Sequence, residues 1–498
     1  MSTRQLPKLA VFLVGAMVAS VLLPGLSGCA AGETPISRVM GVLQGRPALT
    51  DDAKREMARF YAVYGKYANN TTGTRFLKHF RDAFERVRSS YVRPITDKAL
   101  IDEAIKGVEE LNAKPGSVPS VEVVEAALDK MLASLDPHSA YLNPDELRET
   151  TVSTRGEFGG LGIRVTMDGD AVKVVSPIED TPADRAGLKT GDLITHLDDT
   201  AVKGMNLMQA VSLMRGRPGS ELRLTVVRDK QPPFQVTLIR AVIRVKAVRW
   251  RVEGDVGYIR VSQFSEKVED GIEDATEAIR DKLGPLLKGY VLDLRSNPGG
   301  LLDQSLVLSD AFLDKGRIVS AKGRSKSSEK VYRARRGDLA RGLPLVVLIN
   351  GGSASASEIV AGALQDHRRA VIMGVPSFGK GSVQTISPLP IEGALRLTTA
   401  LYYLPSGRLI QARGIVPDIR LSGDDKEKDE KGRKRESDLP GALPGSTTGD
   451  SRRDVSVALD TCEAVGPEKK DRALGCALGY LHSESVEAFV RDHASTVK

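Results

Sequence analysis

Two apolar runs, each leading into a turn of small residues, constrain the fold of this 498-residue chain most strongly. The run 345–349 leads into the turn 350–358, after which the apolar spacing becomes helical. The second run, 370–373, leads into the turn 379–384. One helix and one returning strand fit between the two turns. Both turns are therefore predicted to lie at the same edge of a parallel sheet, where such sheets bind ligands.

The first turn carries three serines, Ser353, Ser355 and Ser357, at the junction of a strand and a helix. Small neighbours let a substrate backbone approach closely, and the first N–H groups of the helix point at an anion formed beside Ser355. This is a suitable place for a nucleophile. A Ser/Gly/Ala connection of an ordinary β-α unit has the same composition, so the turn alone leaves both interpretations open.

Four segments of the chain resemble the carboxy-terminal processing peptidases, which are Ser/Lys serine proteases with an embedded PDZ domain. The four segments occur in the same order as in the family, and they are spread over most of residues 75–421. The segments are 135–142 (LDPHSAYL), 292–301 (LDLRSNPGGL), 353–359 (SASASEI) and 378–384 (FGKGSVQ). The resemblance implies an α/β fold with a core like that of the crotonase and caseinolytic peptidase folds. An inserted PDZ domain and an N-terminal helical region would complete it.

The chemistry of Ser355 and Lys380 agrees with this resemblance. A serine hydroxyl needs a base to take its proton. A lysine with its ordinary pKa of about 10.4 cannot serve, but burial favours the neutral amine, and catalytic lysines are tuned to about 7 to 8. A Ser355–Lys380 pair is therefore predicted, as a variant of the serine triad. Taken alone, Lys380 would be read as an exposed loop lysine.

Further site residues follow from the resemblance and from geometry. The family's nucleophile has the same offset to its lysine as Ser355, and a lysine-orienting glutamine falls at Gln384. In an extended strand, however, Lys380 and Gln384 stand about 13 Å apart. His367 would lie about 18 Å along the helix axis from Ser355 and is rejected as a base. His138 is predicted to be a structural histidine.

The oxyanion is predicted to bind to backbone N–H groups. That of Ala356 is available at the helix terminus. A second donor is expected from the turn 297–300, where the sequence leaves the choice between Gly299 and Gly300 open. No metal or organic cofactor is predicted.

Residues 1–29 have the pattern of a lipoprotein-type signal peptide. A short basic region precedes the apolar run 9–23, which is too short for a clear membrane span, and the segment 26–29 (LSGC) resembles a bacterial lipobox. Cys29 would then carry the lipid, although an uncleaved anchor is the alternative. Either reading predicts a membrane-anchored enzyme on the periplasmic side of the bacterial cell envelope. Cys462 and Cys476 remain, either as a disulfide or as two buried thiols.

The periodicity of apolar residues and the local composition divide the rest of the chain into five regions. We predict a helical region over 30–150, a PDZ domain over 151–242, the Ser/Lys protease core over 243–422, a charged flexible linker over 423–451 and a helical tail over 452–498. In the PDZ domain, free N–H groups of a Gly-rich loop would hold a peptide carboxylate while the peptide adds a strand. The predicted substrate-binding residues are Gly160, Leu161, Gly162 and Ile163.

The formal net charge of +7 and the 5% aromatic content do not suggest a nucleic-acid-binding protein. The sequence predicts a serine endopeptidase of the cell envelope that recognises protein C-terminal tails and processes or degrades them through an acyl-enzyme. Its partners would be proteins or peptides with free, apolar C-termini and, through the lipid anchor, the membrane. A homo-oligomer and an activating adaptor both stay open. The alternative is a non-catalytic PDZ scaffold that binds C-terminal peptides.

Overall fold

The computed structural model describes residues 49–70, 74–205, 207–229, 231–244, 246–335, 337–423, 434–445 and 455–493. The predicted signal peptide and Cys29 lie outside these ranges. No helix in the described ranges has both the length and the apolar character of a transmembrane span.

The chain alternates between helices and strands over most of its length. In the described ranges the helices are α1 (Asp51–Tyr67), α2 (Thr74–Ser90), α3 (Asp97–Glu109), α4 (Ser120–Ala133), α5 (Pro144–Arg155), α6 (Pro182–Arg185), α7 (Leu207–Met214), α8 (Val268–Leu283), α9 (Leu302–Asp310), α10 (Ala356–Asp366), α11 (Arg472–Leu481) and α12 (Val486–Asp492). The strands are β1 (Ala140–Leu142), β2 (Glu157–Gly160), β3 (Ile163–Asp168), β4 (Ala171–Pro177), β5 (Leu193–Leu197), β6 (Thr200–Ala201), β7 (Glu221–Val227), β8 (Phe234–Ile239), β9 (Ala241–Arg244), β10 (Val248–Glu253), β11 (Val256–Val261), β12 (Gly289–Asp293), β13 (Gly316–Gly323), β14 (Lys330–Ala334), β15 (Leu345–Ile349), β16 (Val371–Gly374), β17 (Ser382–Pro388), β18 (Ala394–Tyr403), β19 (Ile419–Ser422) and β20 (Val455–Ala458).

A seven-stranded sheet forms the centre of the protease core, in the order β10-β11-β12-β15-β16-β19-β20. Every neighbouring pair is parallel except β10 and β11. β12 and β15 are buried along their whole length, as expected for apolar strands covered on both faces. Side chains of α8, α9 and α10 fill one face, and those of α11 and α12 fill the other. The predicted α/β fold with a largely parallel sheet is confirmed.

A second, antiparallel sheet joins the protease core to the N-terminal helices. Its order is β1-β18-β13-β14, and β17 pairs with β18. Leu395 and Leu397 on β18 pack into the core formed by α1 to α4, in which Phe80 and Phe84 are fully buried. The helical N-terminal region therefore packs directly on β18. β18 pairs with β17, and β17 begins two residues after Lys380.

A six-stranded sheet forms the PDZ unit, in the order β3-β4-β5-β7-β8 with β6 beside β5. The chain enters and leaves this unit through the short antiparallel pair of β2 and β9. β3 lies at the edge of the sheet, so one side of its backbone is open for an added peptide strand.

The segment 434–445 differs from the flexible linker that its charged and Pro/Gly-rich surroundings predicted. Residues Glu436–Asp438 form a short 3-10 helix, and the Glu436 side chain is fully buried. Leu443 is buried in the core of the N-terminal helices. Composition did not predict this structure, because two buried side chains, those of Glu436 and Leu443, are enough to hold a short segment in place.

The C-terminal tail also differs from a purely helical tail. β20 pairs with β19 in parallel and extends the central sheet before α11 and α12 begin. Cys462 and Cys476 form a disulfide, which answers the question that their spacing left open. Asp471 at the start of α11 accepts two hydrogen bonds from the Arg295 guanidinium, at 2.9 and 2.7 Å. The tail is therefore an integral part of the core.

Candidate active site

Ser355 occupies a strained turn at the start of α10, directly after the carboxyl end of β15. Its backbone has φ 55° and ψ −110°, a conformation that a non-glycine residue adopts at a cost of about 1 to 3 kcal/mol. Strain of this kind persists only where the surrounding structure enforces it. The turn places the Ser355 side chain at the wall of a cavity of about 980 Å³.

The three serines of this turn have different environments. The hydroxyl of Ser353 is fully buried and donates to the carbonyl oxygen of Leu294 at 2.7 Å. That of Ser357 is also fully buried and donates to the carbonyl oxygen of Asn297 at 2.9 Å. Ser353 and Ser357 therefore stabilise the turn, and Ser355 is the serine of the three that lines the cavity.

The turn 297–300 packs directly against Ser355. A Cβ atom added to Gly299 would lie 2.9 Å from the Cβ of Ser355 and 3.0 Å from the amide nitrogen of Ala356, so this contact requires glycine. The N–H of Gly299 donates to the Asn297 side chain at 2.9 Å. In the described ranges the N–H groups of Ala356 and Gly300 donate to no backbone acceptor, and Gly300 lines the cavity. Ala356 and Gly300 are therefore better placed than Gly299 to bind an oxyanion.

Lys380 lines the same cavity as Ser355, from the turn that precedes β17. Within the described part of the chain its ammonium group has no hydrogen-bond or ion-pair partner. Burial lowers the pKa of the Lys380 amine below its usual value, and the Arg396 guanidinium lowers it further. The carboxylates of Glu436, Glu358 and Asp136 oppose this change. The net result is a lowered pKa of the Lys380 amine, which makes the neutral form that a base requires easier to reach.

Glu358 connects the serine turn to the lysine turn. Its fully buried carboxylate accepts hydrogen bonds from the N–H groups of Ser355, Gly379 and Lys380 and from the hydroxyl of Ser377, at 2.6 to 2.9 Å. Burial raises the pKa of the Glu358 carboxyl to about 7, and these four hydrogen bonds oppose the rise. This role of Glu358 was not predicted from the sequence. The Ser-x-x-Glu capping pattern, in which the glutamate reaches back to the first residue, was the signal that could have shown it.

Comparison with known proteins agrees with this geometry. Residues 255–421 match the model of peptidase family S41, and residues 159–234 match the model of a PDZ domain. The carboxy-terminal-processing protease of Bartonella bacilliformis is 52% identical over 356 residues, which are 70% of this chain and 76% of that protein. The carboxy-terminal processing protease CtpA of Bacillus subtilis is 30% identical over 413 residues, 82% of this chain and 80% of that protein.

The chain belongs to peptidase family S41. It is a serine protease of the carboxy-terminal processing type and contains a PDZ domain, so the family resemblance and the prediction of an enzyme are confirmed.

Gln384 of this S41 peptidase lines the cavity, and its side chain forms no hydrogen bond with Lys380 within the described ranges. Its amide nitrogen donates to the hydroxyls of Ser382 and Thr398, at 2.9 and 3.2 Å. The Thr398 hydroxyl in turn donates to the buried carboxylate of Asp136 at 3.0 Å. The structure therefore ties Gln384 to the segment 135–142, and a lysine-orienting role for it stays a prediction.

Neither of the two candidate histidines, His138 and His367, lines the cavity that contains Ser355. His367 is at the opposite end of α10, where its Nε2 is 2.7 Å from the carbonyl oxygen of Arg317. The Nε2 of His138 is 2.8 Å from the carboxylate of Glu436. Of these two histidines and Lys380 of this S41 peptidase, Lys380 is the one that lines the cavity with Ser355.

The PDZ unit of this S41 peptidase presents its Gly-rich loop at the start of the edge strand β3. Gly160 ends β2, and Ile163 begins β3. Between them, the N–H groups of Leu161 and Gly162 donate to no backbone acceptor in the described ranges. Gly162 has φ 81°, and an added Cβ would lie 2.2 Å from the Cβ of Thr181. The loop therefore offers free donors in a conformation that glycine allows.

Proposed function

We propose that this S41 peptidase binds proteins through their free, apolar C-termini and cleaves them with Ser355 as nucleophile and Lys380 as base. The observation that carries this proposal is the cavity lined by both Ser355 and Lys380. The strained turn at Ser355 and the lowered pKa of the Lys380 amine add independent support.

The first chemical step forms an acyl-enzyme. The Ser355 oxygen attacks the carbonyl carbon of the scissile bond while its proton passes to the neutral Lys380 amine. The N–H groups of Ala356 and Gly300 stabilise the negative charge on the carbonyl oxygen, since such donors act best in a site that excludes water. Lys380 then returns the proton to the leaving amine as the peptide bond breaks.

The second step regenerates the enzyme. The Lys380 amine, again neutral, removes a proton from a water molecule that attacks the acyl carbon. The ester bond to Ser355 breaks, the Ser355 oxygen regains a proton from Lys380, and the peptide acid leaves.

Replacement of Ser355 by alanine tests the nucleophile. We expect the Ser355→Ala variant to lose all measurable cleavage of a protein substrate with an apolar C-terminal tail, because the acyl bond of the proposed mechanism forms on the Ser355 oxygen. Ser328, which lines the same cavity and donates to the carbonyl oxygen of Ser325, is the matched control. Ser328→Ala should keep full turnover. Cleavage by Ser355→Ala above the buffer rate would reject the proposal.

A separate prediction concerns recognition of the C-terminal carboxylate of the substrate. Amidation of the substrate tail should lower kcat/KM about 10- to 100-fold, because a hydrogen bond to a charged group contributes about 1.5 to 3 kcal/mol. Gly162→Ala should lower kcat/KM for the free-acid tail similarly, since its Cβ would collide with Thr181. Amidation should then have little further effect in this variant.

Gly169→Ala is the control for this experiment. Gly169 lies in the same domain with φ 59°, and an added Cβ would meet no atom within 4 Å. This variant should discriminate the free acid from the amide as the wild type does. Equal cleavage of both substrates by the wild type would show that the tail carboxylate is not recognised.

The proposed location is the periplasmic side of the bacterial cell envelope, with a lipid at Cys29 as the anchor. The lipobox-like segment 26–29 supports it. A Cys29→Ser variant should appear in the soluble fraction, and its retention in the membrane fraction would argue against the lipid anchor.

A further inference from the structure

The lysine turn has three consecutive N–H groups, and buried side chains hold all of them. The N–H groups of Gly379 and Lys380 donate to the Glu358 carboxylate, at 2.7 and 2.9 Å. The N–H of Gly381 donates to the side-chain oxygen of Gln411 at 3.0 Å. The direction of the Lys380 side chain therefore depends on Glu358 and Gln411, neither of which lines the cavity.

The orientation of the Gln411 amide is set by the segment 434–445. Its nitrogen donates to the Glu436 carboxylate at 2.8 Å and to the carbonyl oxygen of Leu443 at 3.2 Å. If the amide were rotated by half a turn, its NH₂ group would face the N–H of Gly381, and two donors would meet. Glu436 therefore fixes which end of Gln411 faces the lysine turn.

Glu436 is itself fully buried and held from two sides. The Nε2 of His138 lies 3.0 and 2.8 Å from its two carboxylate oxygens. The backbone N–H of Glu436 donates to the carbonyl oxygen of Phe378, two residues before Lys380, at 3.2 Å. A buried carboxylate is stable only with such partners. These contacts connect His138, Glu436, Gln411 and Gly381 in one continuous chain.

The charge of Glu436 also acts on the Lys380 amine. Among the charged groups that face this amine, Glu436 has the largest effect and favours the protonated form, as Glu358 and Asp136 do to a smaller extent. Arg396 favours the neutral form. The segment 434–445 lies outside the match to the S41 family model, which ends at residue 421.

We propose that Glu436, held by His138 and orienting Gln411, is a positioning residue for Lys380, so that the segment 434–445 completes the active site. This inference rests on the proposed role of Lys380 as the base. It assigns a function to a segment whose composition suggests a linker.

Two substitutions separate the two effects of Glu436. Glu436→Ala removes the anchor of Gln411, and we expect kcat to fall about 10- to 100-fold with KM unchanged, since small misplacements of catalytic groups have effects of this size. Glu436→Gln can keep an acceptor for Gln411 but removes the charge. The plateau of kcat/KM should then stay close to that of the wild type. In a plot of kcat/KM against pH, the acid limb of the Glu436→Gln variant should move to lower pH, because loss of a nearby negative charge lowers the pKa of the base.

Asp438→Asn is the matched control. Asp438 is exposed on the same 3-10 helix, and its carboxylate accepts a hydrogen bond from the N–H of Arg435 at 2.8 Å. Asparagine keeps an acceptor for that N–H, so this substitution removes an equal charge from the same segment and leaves the chain from His138 to Gly381 intact. The variants are compared in the full-length enzyme, with rates normalised to the fraction of Ser355 that a fluorophosphonate labels to completion. Asp438→Asn should match the wild type in kcat, KM and pH profile.

Two results would overturn the inference. One is a Glu436→Ala variant with wild-type kcat per labelled site, whatever its thermal stability. The other is a Glu436→Gln variant whose acid limb coincides with that of the wild type. Either result, obtained while Ser355→Ala is inactive, would reject the role of Glu436 and leave the proposed Ser/Lys mechanism standing. Activity in Ser355→Ala would instead reject the mechanism itself.

Discussion

Replacement of Lys380 by methionine is expected to lower kcat at least about 10³-fold, the loss typical when the base of a serine protease is removed. Methionine keeps the length and apolar character of the side chain but has no amine, so the Ser355 proton has no acceptor. Substrate binding should change little, because KM depends on the tail-binding loop and the cavity wall. Steady-state cleavage of a tailed protein substrate measures both constants.

Lys380→Arg is the informative partner of this variant. An arginine is effectively always protonated and cannot act as a base, although it keeps the positive charge. Both variants should therefore be inactive. Substantial turnover in Lys380→Arg would mean that the side chain contributes only charge, and the proposed proton transfer would have to be abandoned.

Replacement of Glu358 by glutamine is expected to lower both the stability of the enzyme and its turnover. Four donors converge on the two carboxylate oxygens of Glu358, and an amide nitrogen in place of one oxygen would face donors instead of accepting from them. Each buried donor left without an acceptor costs about 1 to 3 kcal/mol. We expect the free energy of unfolding to fall by this amount for each affected donor. We also expect kcat to fall about 10²-fold, because the serine and lysine turns lose their common anchor.

Glu146→Gln provides the control. Glu146 holds the equivalent position in the first turn of α5, where its carboxylate accepts a hydrogen bond from the N–H of Asn143. It is only half-buried, so its replacement should cost about 1 kcal/mol or less and leave kcat unchanged. Equal effects of the two substitutions would show that Glu358 is an ordinary helix cap. Denaturant unfolding and steady-state kinetics together distinguish the outcomes.

The two turns that carry Ser355 and Lys380 were predictable, because each follows an apolar strand and is marked by glycine and serine residues. Leu345–Ile349 is buried along its length, and the turn after it places Ser355 at the cavity, as the spacing to Lys380 suggested. The family resemblance favoured Ser355 among the three serines, and the structure adds the physical distinction between them. Ser353 and Ser357 are distinguished from Ser355 by the carbonyl groups they contact, and those carbonyls belong to a segment about 60 residues away in sequence.

The connections between distant segments were not predictable. Glu436 meets His138 across 298 residues and Gln411 across 25, and neither pairing leaves a pattern in the sequence. Local composition instead favoured a solvated linker at 423–451. Similarly, β20 has only four residues, and its place beside β19 follows from the sheet edge available to it. For Gln384 the distance argument from strand geometry agrees with the structure, since its amide donates to the hydroxyls of Ser382 and Thr398 and forms no hydrogen bond with Lys380 within the described ranges.

The most direct test of the account is the pH dependence of the rate at which a fluorophosphonate labels the enzyme, with the modified residue identified by peptide mass spectrometry. We predict a label on Ser355, formed at a rate that rises with pH along a single titration centred below 10.5, the usual lysine value. This titration should be absent in Lys380→Met. A label on Ser353 or Ser357, or a rate on Ser355 that is the same with and without the Lys380 amine, would contradict the account.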